Sequence, residues 1–226
     1  VLPASYDEIG VFDSNYELGI SWYKSMFPTK FEIKKIKSKT GNSITGEDTP
    51  FYFWDKKSIQ RIKKNIPKIK LIVLLRNPID RAYSNYHLGV RLGSESLSFE
   101  DSIKKEIQLL EKENSFENDE IKKFLRPRSY IAKGLYYQQI KNWFDVFSKD
   151  QILVLNTENL SDKPNQTLKQ IFEFLDLPNE KIQNIQNRKV GNYQKMNKDT
   201  REYLKKIFKP QNEKLFKILG REFEWD

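Results

Sequence analysis

The chain predicts an α/β fold with a central parallel sheet flanked by helices, and three observations carry that prediction. Lys70–Leu75 and Gln151–Leu155 are short apolar runs without polar alternation, the pattern of strands buried on both faces. Each run gives way to helix signals. Asn77 can cap, Pro78 suits a first helical position and Asp80 stands where a capping-box acid would sit, while Glu158–Leu160 turns into a helix over Pro164–Leu175. Strand, helix, strand, helix in that order requires crossovers and therefore parallel strands.

The other elements follow in order. Glu17–Met26, with Trp22 and Tyr23 and a stop at Phe27-Pro28, reads as a short amphipathic helix. Ile44–Tyr52 reads as a strand end and a turn marked by Pro50. Asp55–Ile66 places Ile59, Ile62 and Ile66 at helical spacing among lysines. A helix opens at Ser98 with capping-box character and runs to about Lys112 through Ile103, Ile107 and Leu110. Glu111–Glu120 is polar and acidic, a loop that either overhangs a substrate site or is solvated connection. Tyr130–Phe147 reads as a long helix, and Lys198–Phe208 and Gln211–Leu219 as two helices after a basic loop at Gln186–Tyr193.

At 226 residues, with 31% charged and 38% hydrophobic, the chain fits one folded domain over 1–226. The absence of cysteine excludes disulfides, thiol catalysis and cysteine metal sites, and the single His87 cannot build a histidine cluster, so no metal is expected. A net charge of +9 calls for anionic partners. Because the lysines are scattered along helices and not gathered in one arm, a nucleic-acid partner is not expected. No apolar run reaches the length of a membrane span and no signal peptide is visible near Val1, which fits a cytoplasmic enzyme.

The turn after the first buried strand holds the most informative chemistry. A helix starting there aims backbone N–H groups and its positive dipole end at the carboxyl edge of the sheet, where α/β folds bind ligands. Arg76 leaves the strand at that edge, and Arg81 and Ser84 share one helical face, so a cation and a hydroxyl can converge on a phosphate. The same spacing serves equally for an arginine neutralising Asp80 and a serine on a solvated face.

Arg76-Asn77-Pro78-x-x-Arg81-x-x-Ser84-x-Tyr86 resembles the 3′-phosphate motif of sulfotransferases that use 3′-phosphoadenosine 5′-phosphosulfate (PAPS), in the branch acting on carbohydrates and related hydroxyls. The resemblance implies a P-loop-NTPase-like three-layer domain and gives Arg76 and Ser84 the 3′-phosphate. Ser5–Asp13 is similar to the family segment in which a Lys-Glu pair precedes Phe-Asp, so Glu8 aligns with the general base, while Asp7 stands where the family has lysine. Gly46-Glu47-Asp48-Thr49-Pro50 resembles a segment near the acceptor, which implies a substrate contact for Thr49. The Gly134–Trp143 stretch resembles a helix beside the active site and implies one for Tyr136, although an aromatic at that spacing also serves a core. The loop at Gln186–Tyr193 resembles the one that closes over the nucleotide, implying nucleotide contacts for Arg188, Lys189 and Gly191. The ending Leu219-Gly220-Arg221-x-Phe223-x-Trp225 extends the resemblance over nearly the whole chain.

One expected part is missing: no Lys-, Gly- and Thr-rich loop of the kind that grips the 5′-phosphosulfate precedes Glu8, which implies a chain without the family's first strand and loop. The expected activity is sulfuryl transfer from PAPS to an acceptor hydroxyl such as a carbohydrate's. A non-catalytic nucleotide- or polyanion-binding module is the alternative. A kinase is weaker, since neither G-x-x-x-x-G-K-[ST] nor an acidic metal-binding strand end is present.

Overall fold

The computed structural model of the chain describes residues 2–112, 129–180, 182, 191 and 193–225. They form an α/β fold of two compact units. The first comprises Val1–Val73, Asn142–Leu153 and Lys169–Asn179; the second comprises Leu74–Lys141, Val154–Leu168 and Glu180–Asp226.

In the first unit β1 (Leu2–Pro3) pairs in parallel with β2 (Thr45–Gly46), Leu2 opposite Thr45. Helices α1 (Gly19–Ser25), α2 (Lys30–Thr40) and α3 (Lys56–Asn65) follow the chain. The core centres on Phe12, 1% exposed, whose ring meets Tyr23 at 4.9 Å and Tyr52 at 5.6 Å, both edge-on. α3 buries Ile59 and Ile62 as its spacing predicts, and its Ser58 hydroxyl and Arg61 guanidinium both donate to the Phe12 carbonyl. Helix α2 is not foreseen by hydrophobic periodicity, because none of its residues is buried. What fixes it is local: a capping box between Thr29 and Glu32 at its start, and Gly41 at φ 78° at its end.

β3 (Leu71–Leu75) and β4 (Ile152–Asn156) make a second two-stranded sheet. β4 is largely buried, as read from its apolar run. β3 departs from that reading: Leu75 is buried, but Ile72 and Leu74 are 41% and 44% exposed. Side chains alternate across a strand, so these two share one face, and that face is open.

The second unit carries α4 (Pro78–Arg91), α5 (Phe99–Lys112) and α9 (Lys198–Leu219), which meet in a core of Ile79, Ala82, Phe99, Ile103, Leu204 and Phe208. The segment Ser129–Ala132 is clamped from two sides. The buried Glu106 carboxylate accepts from the Ser129 hydroxyl and from the N–H groups of Tyr130, Ile131 and Ala132, while the Arg81 guanidinium donates to the carbonyls of Ser129 and Tyr130. A 3₁₀ turn over Ala132–Gly134 follows this clamp, and α6 spans only Tyr136–Phe144 and not the longer stretch its aromatics suggest. Two short helices, α7 (Thr157–Asp162) and α8 (Pro164–Phe174), follow β4.

α9 runs unbroken through Pro210, where two helices are expected. Leu204, Phe208 and Leu215 lie on one buried stripe on both sides of the proline, and their burial outweighs the one lost backbone bond. Gly134 fits under this helix only because it lacks a side chain: a Cβ there would stand 2.8 Å from the Phe208 ring and 3.1 Å from Pro78.

Candidate active site

The turn from β3 into α4 is fixed at nearly every polar atom. Asn77 caps α4, its Oδ1 accepting the Ile79 N–H at 3.0 Å, and the Asn77 N–H donates to Glu158 Oε1 at 2.8 Å. The other Glu158 oxygen accepts from the Trp225 indole at 3.2 Å. The Tyr136 hydroxyl donates to the Arg76 carbonyl at 3.0 Å. At the helix start the Ile79 N–H is thus taken by the Asn77 cap, and the Glu158 carboxylate lies against the Asn77 N–H, where the helix dipole favours a negative charge.

Arg81 is reassigned. It shares a helical face with Ser84, yet its Nη2 donates to the carbonyls of Ser129 and Tyr130, and Asp80 is paired with Arg201 at 2.7 Å instead of closing a capping box. The Arg76 guanidinium and the Ser84 hydroxyl, both half-buried, engage no hydrogen-bond partner or counter-ion among the described residues.

In the first unit the loop after β1 carries Glu8. Its backbone is left-handed at φ 51°, a conformation that costs a side-chain-bearing residue about 1–2 kcal/mol. The loop is held in that shape from outside: the Glu8 N–H donates to the Asp48 carbonyl at 3.1 Å, and the Gly10 N–H to the Thr49 hydroxyl at 3.2 Å. The Thr49 hydroxyl in turn donates to Glu47 Oε2 at 2.6 Å, while Tyr52 donates to Glu47 Oε1 at 3.1 Å and accepts from the Phe12 N–H. Burial first, and the Glu47 carboxylate second, push the Tyr23 phenol well above its usual range, and burial does the same to Tyr52. Glu47 is thus the anchor of the loop, and Glu8 itself is exposed.

A sulfotransferase domain profile matches residues 54–225. The chain belongs to the sulfotransferase domain family. It is 27% identical to the membrane-associated sulfotransferase kil1 of Dictyostelium discoideum, covering 98% of this chain and 60% of that protein. It is 25% identical to the heparan sulfate glucosamine 3-O-sulfotransferase 3A1 of Mus musculus, covering 95% of this chain and 56% of that protein. The crystal structure of a sulfotransferase from Alicyclobacillus acidocaldarius superposes with a TM-score of 0.69 at 25% identity, over 98% of this chain and 86% of that one. The chain spans less than two thirds of the two curated relatives.

Within this sulfotransferase domain the residues expected at the site divide into four groups. Arg76 and Ser84 carry polar groups that are uncommitted among the described residues, and Glu8 stands on a strained, exposed loop. Thr49 has its hydroxyl engaged as both donor and acceptor, and Tyr136 is buried with its hydroxyl on the Arg76 carbonyl, so each holds backbone next to a residue expected at the site. Arg188 and Lys189 lie outside the described residues. Gly191 is described, and a Cβ on it would stand 2.2 Å from the Tyr193 ring, which stacks on His87 at 4.2 Å.

Sequence reading missed Glu47, Glu158 and Glu106. Glu47 sits inside a quoted motif, and three residues from Glu47 to Tyr52 bear its network, so the Thr49–Glu47 spacing was an available signal. Glu158 and Asn77 are 81 positions apart, and no local pattern joins them. Among the described residues no group of His, Asp or Glu is placed to hold a metal ion, and no helix is long and apolar enough to cross a membrane.

Proposed function

We propose that this domain transfers a sulfuryl group from PAPS to an acceptor hydroxyl, and that the acceptor is a carbohydrate, as the name of the mouse relative says of that protein. The observation that carries the reading is the Arg76 guanidinium. The polar atoms around it are engaged, yet this planar fork of donors at the end of β3 has no partner among the described residues. A phosphate is the ligand its geometry suits, since two parallel N–H groups can grip two oxygens. The Ser84 hydroxyl, two helical turns along α4, supplies a further donor for the same 3′-phosphate.

Glu8 accepts the acceptor's hydroxyl proton, the acceptor oxygen bonds to sulfur, and the bond from sulfur to the bridging phosphate oxygen breaks. The products are a sulfate ester and 3′-phosphoadenosine 5′-phosphate. Proton transfer to a positioned base contributes roughly 10²–10⁴-fold; holding donor and acceptor in line contributes more. The left-handed backbone of Glu8 fits this role, because strained residues persist where the surrounding structure over-determines them.

The test compares two nucleotides and two variants. At about a hundredfold excess over Kd, 3′-phosphoadenosine 5′-phosphate should stabilise the protein by roughly 2.7 kcal/mol, and adenosine 5′-phosphate by far less. Arg76→Ala should lose about 2–3 kcal/mol of binding to the former with little change in Tm without ligand. Glu8→Gln should retain nucleotide binding and abolish transfer in the full-length protein. Equal shifts from both nucleotides would remove the 3′-phosphate site, and nucleotide binding without transfer to any alcohol would leave a binding module.

A further inference from the structure

Arg76 and Asn77 share one peptide group, and both of its polar ends are held. The carbonyl, on Arg76, accepts from the Tyr136 hydroxyl at 3.0 Å, and the N–H, on Asn77, donates to Glu158 Oε1 at 2.8 Å. A peptide group is planar, so bonds at its opposite edges fix its orientation as a unit. Asn77 and Pro78 set the helix that follows, but not the plane that precedes it. The ψ of Arg76 lies at one edge of that plane, so turning the plane re-aims Arg76 relative to α4 and to Ser84 on it.

Both grips meet a third residue. The Trp225 indole donates through Nε1 to the second Glu158 oxygen at 3.2 Å, and its ring lies 5.8 Å from the Tyr136 ring at a 54° tilt. Trp225 is brought there by Gly220, which is left-handed at φ 67°, ends α9 and turns the chain back. On the return, Phe216 of the helix packs against Phe223 at 5.8 Å and against Trp225 at 5.6 Å, and Phe223 is buried. An indole suits both tasks, offering a flat apolar body to Tyr136 and one N–H to the carboxylate. Arg76, Asn77, Tyr136, Glu158 and Trp225 all belong to the second unit.

We infer that Trp225 is a positioning residue: through Glu158 and Tyr136 it braces the Arg76–Asn77 peptide, and so holds the Arg76 guanidinium in the orientation that receives a 3′-phosphate. The role requires no contact with the nucleotide or the acceptor. Its consequence for binding rests on the 3′-phosphate contact proposed for Arg76, whereas the brace itself can be read without any ligand.

Amide hydrogen exchange and calorimetric titration test the two halves separately. In the ligand-free protein, exchange at the Asn77 N–H should quicken about threefold to tenfold in Trp225→Phe, as expected when one hydrogen bond supporting the Glu158 grip is lost. The same variant should bind 3′-phosphoadenosine 5′-phosphate about threefold to tenfold more weakly and adenosine 5′-phosphate within about twofold of the unaltered protein, so the preference for the 3′-phosphate shrinks. Trp225→Ala, which also gives up the Tyr136 contact, should shrink it further. Combined with Arg76→Ala, Trp225→Phe should have no additional effect on the nucleotide's Kd, because nothing is left to aim. Trp225→Phe keeps a ring against Phe216 and Phe223, so it should fold even where Trp225→Ala does not. A tryptophan that only packs the return of α9 would lower Tm and leave the Asn77 exchange and the nucleotide preference unchanged, which overturns the inference, as would additive losses with Arg76→Ala. Equal binding of both nucleotides by the unaltered protein would overturn the 3′-phosphate site and the positioning role with it, whereas a preference that survives Trp225→Phe overturns the positioning role alone.

Discussion

The Glu8 loop and the β3–α4 turn solve one problem in different ways. Each carries a residue proposed for the site, and each is tied down by a carboxylate: Glu47 for the loop, Glu158 for the turn. Glu158 binds backbone and an indole, at the start of a helix whose own dipole favours a negative charge. Glu47 works through side-chain hydroxyls, Thr49 relaying it to the Gly10 N–H and Tyr52 to the Phe12 N–H. The turn would keep most of its shape without its carboxylate, because Asn77 and Pro78 already favour a helix start. The loop has no such intrinsic preference, and its left-handed Glu8 opposes the shape it is held in.

That contrast predicts unequal responses to the same deletion. Glu47→Ala should cost about 2–4 kcal/mol, leaving two or more hydroxyls without an acceptor, and should abolish transfer by releasing Glu8; chemical denaturation and an activity assay read both. Glu158→Ala should cost less, about 1–3 kcal/mol, and should weaken 3′-phosphoadenosine 5′-phosphate binding without abolishing it. If the two variants lost equal stability and equal activity, the distinction between loop and turn would be wrong. Tyr136→Phe removes one hydrogen bond to the Arg76 carbonyl and should cost about 1 kcal/mol, with a matching loss in nucleotide affinity and no change in the preference among acceptors. A changed acceptor preference would return Tyr136 to the acceptor's surroundings.

The smallest effect separates the two regions by pH. Burial raises Tyr23 and Tyr52, so their contribution is fully present below about pH 10, the unfolded tyrosine value, and is lost as pH rises beyond it. Burial lowers His87, whose Nε2 is enclosed without a partner among the described residues; its contribution is present above about pH 6.5 and is lost as pH falls, because the unfolded chain then takes a proton the folded side chain resists. Tyr52→Phe should flatten the alkaline limb of a Tm-against-pH curve and His87→Phe the acid limb, each leaving the other unchanged.

The legibility of the two regions in the sequence follows the same divide. The turn could be read because Asn77, Pro78 and the apolar run before them act on their immediate neighbours, and the α/β class follows from such runs. Contacts with distant positions could not: the partners of Arg81 lie 48 and 49 residues away, so a cation on the face of Ser84 proved to be holding carbonyls. α2 was legible only through Thr29, Glu32 and Gly41, since a helix that buries nothing has no apolar period to find. Pro210 misled for the opposite reason, a local signal overruled by Leu204, Phe208 and Leu215. On β3 an apolar run described composition correctly while Ile72 and Leu74 remained open on one face.

Gly134 shows how narrow the tolerance around the β3–α4 turn is. A methyl group there would intrude on Phe208 and Pro78 together, and Pro78 is the residue on which α4 begins. The spacing between α9 and the residues that follow Arg76 is therefore set by a hydrogen atom. A substitution at position 134 has no small step available: even the methyl group of alanine meets the Phe208 ring at 2.8 Å and Pro78 at 3.1 Å. Such a position acts as a ratchet, keeping the aromatic and the glycine together as a pair.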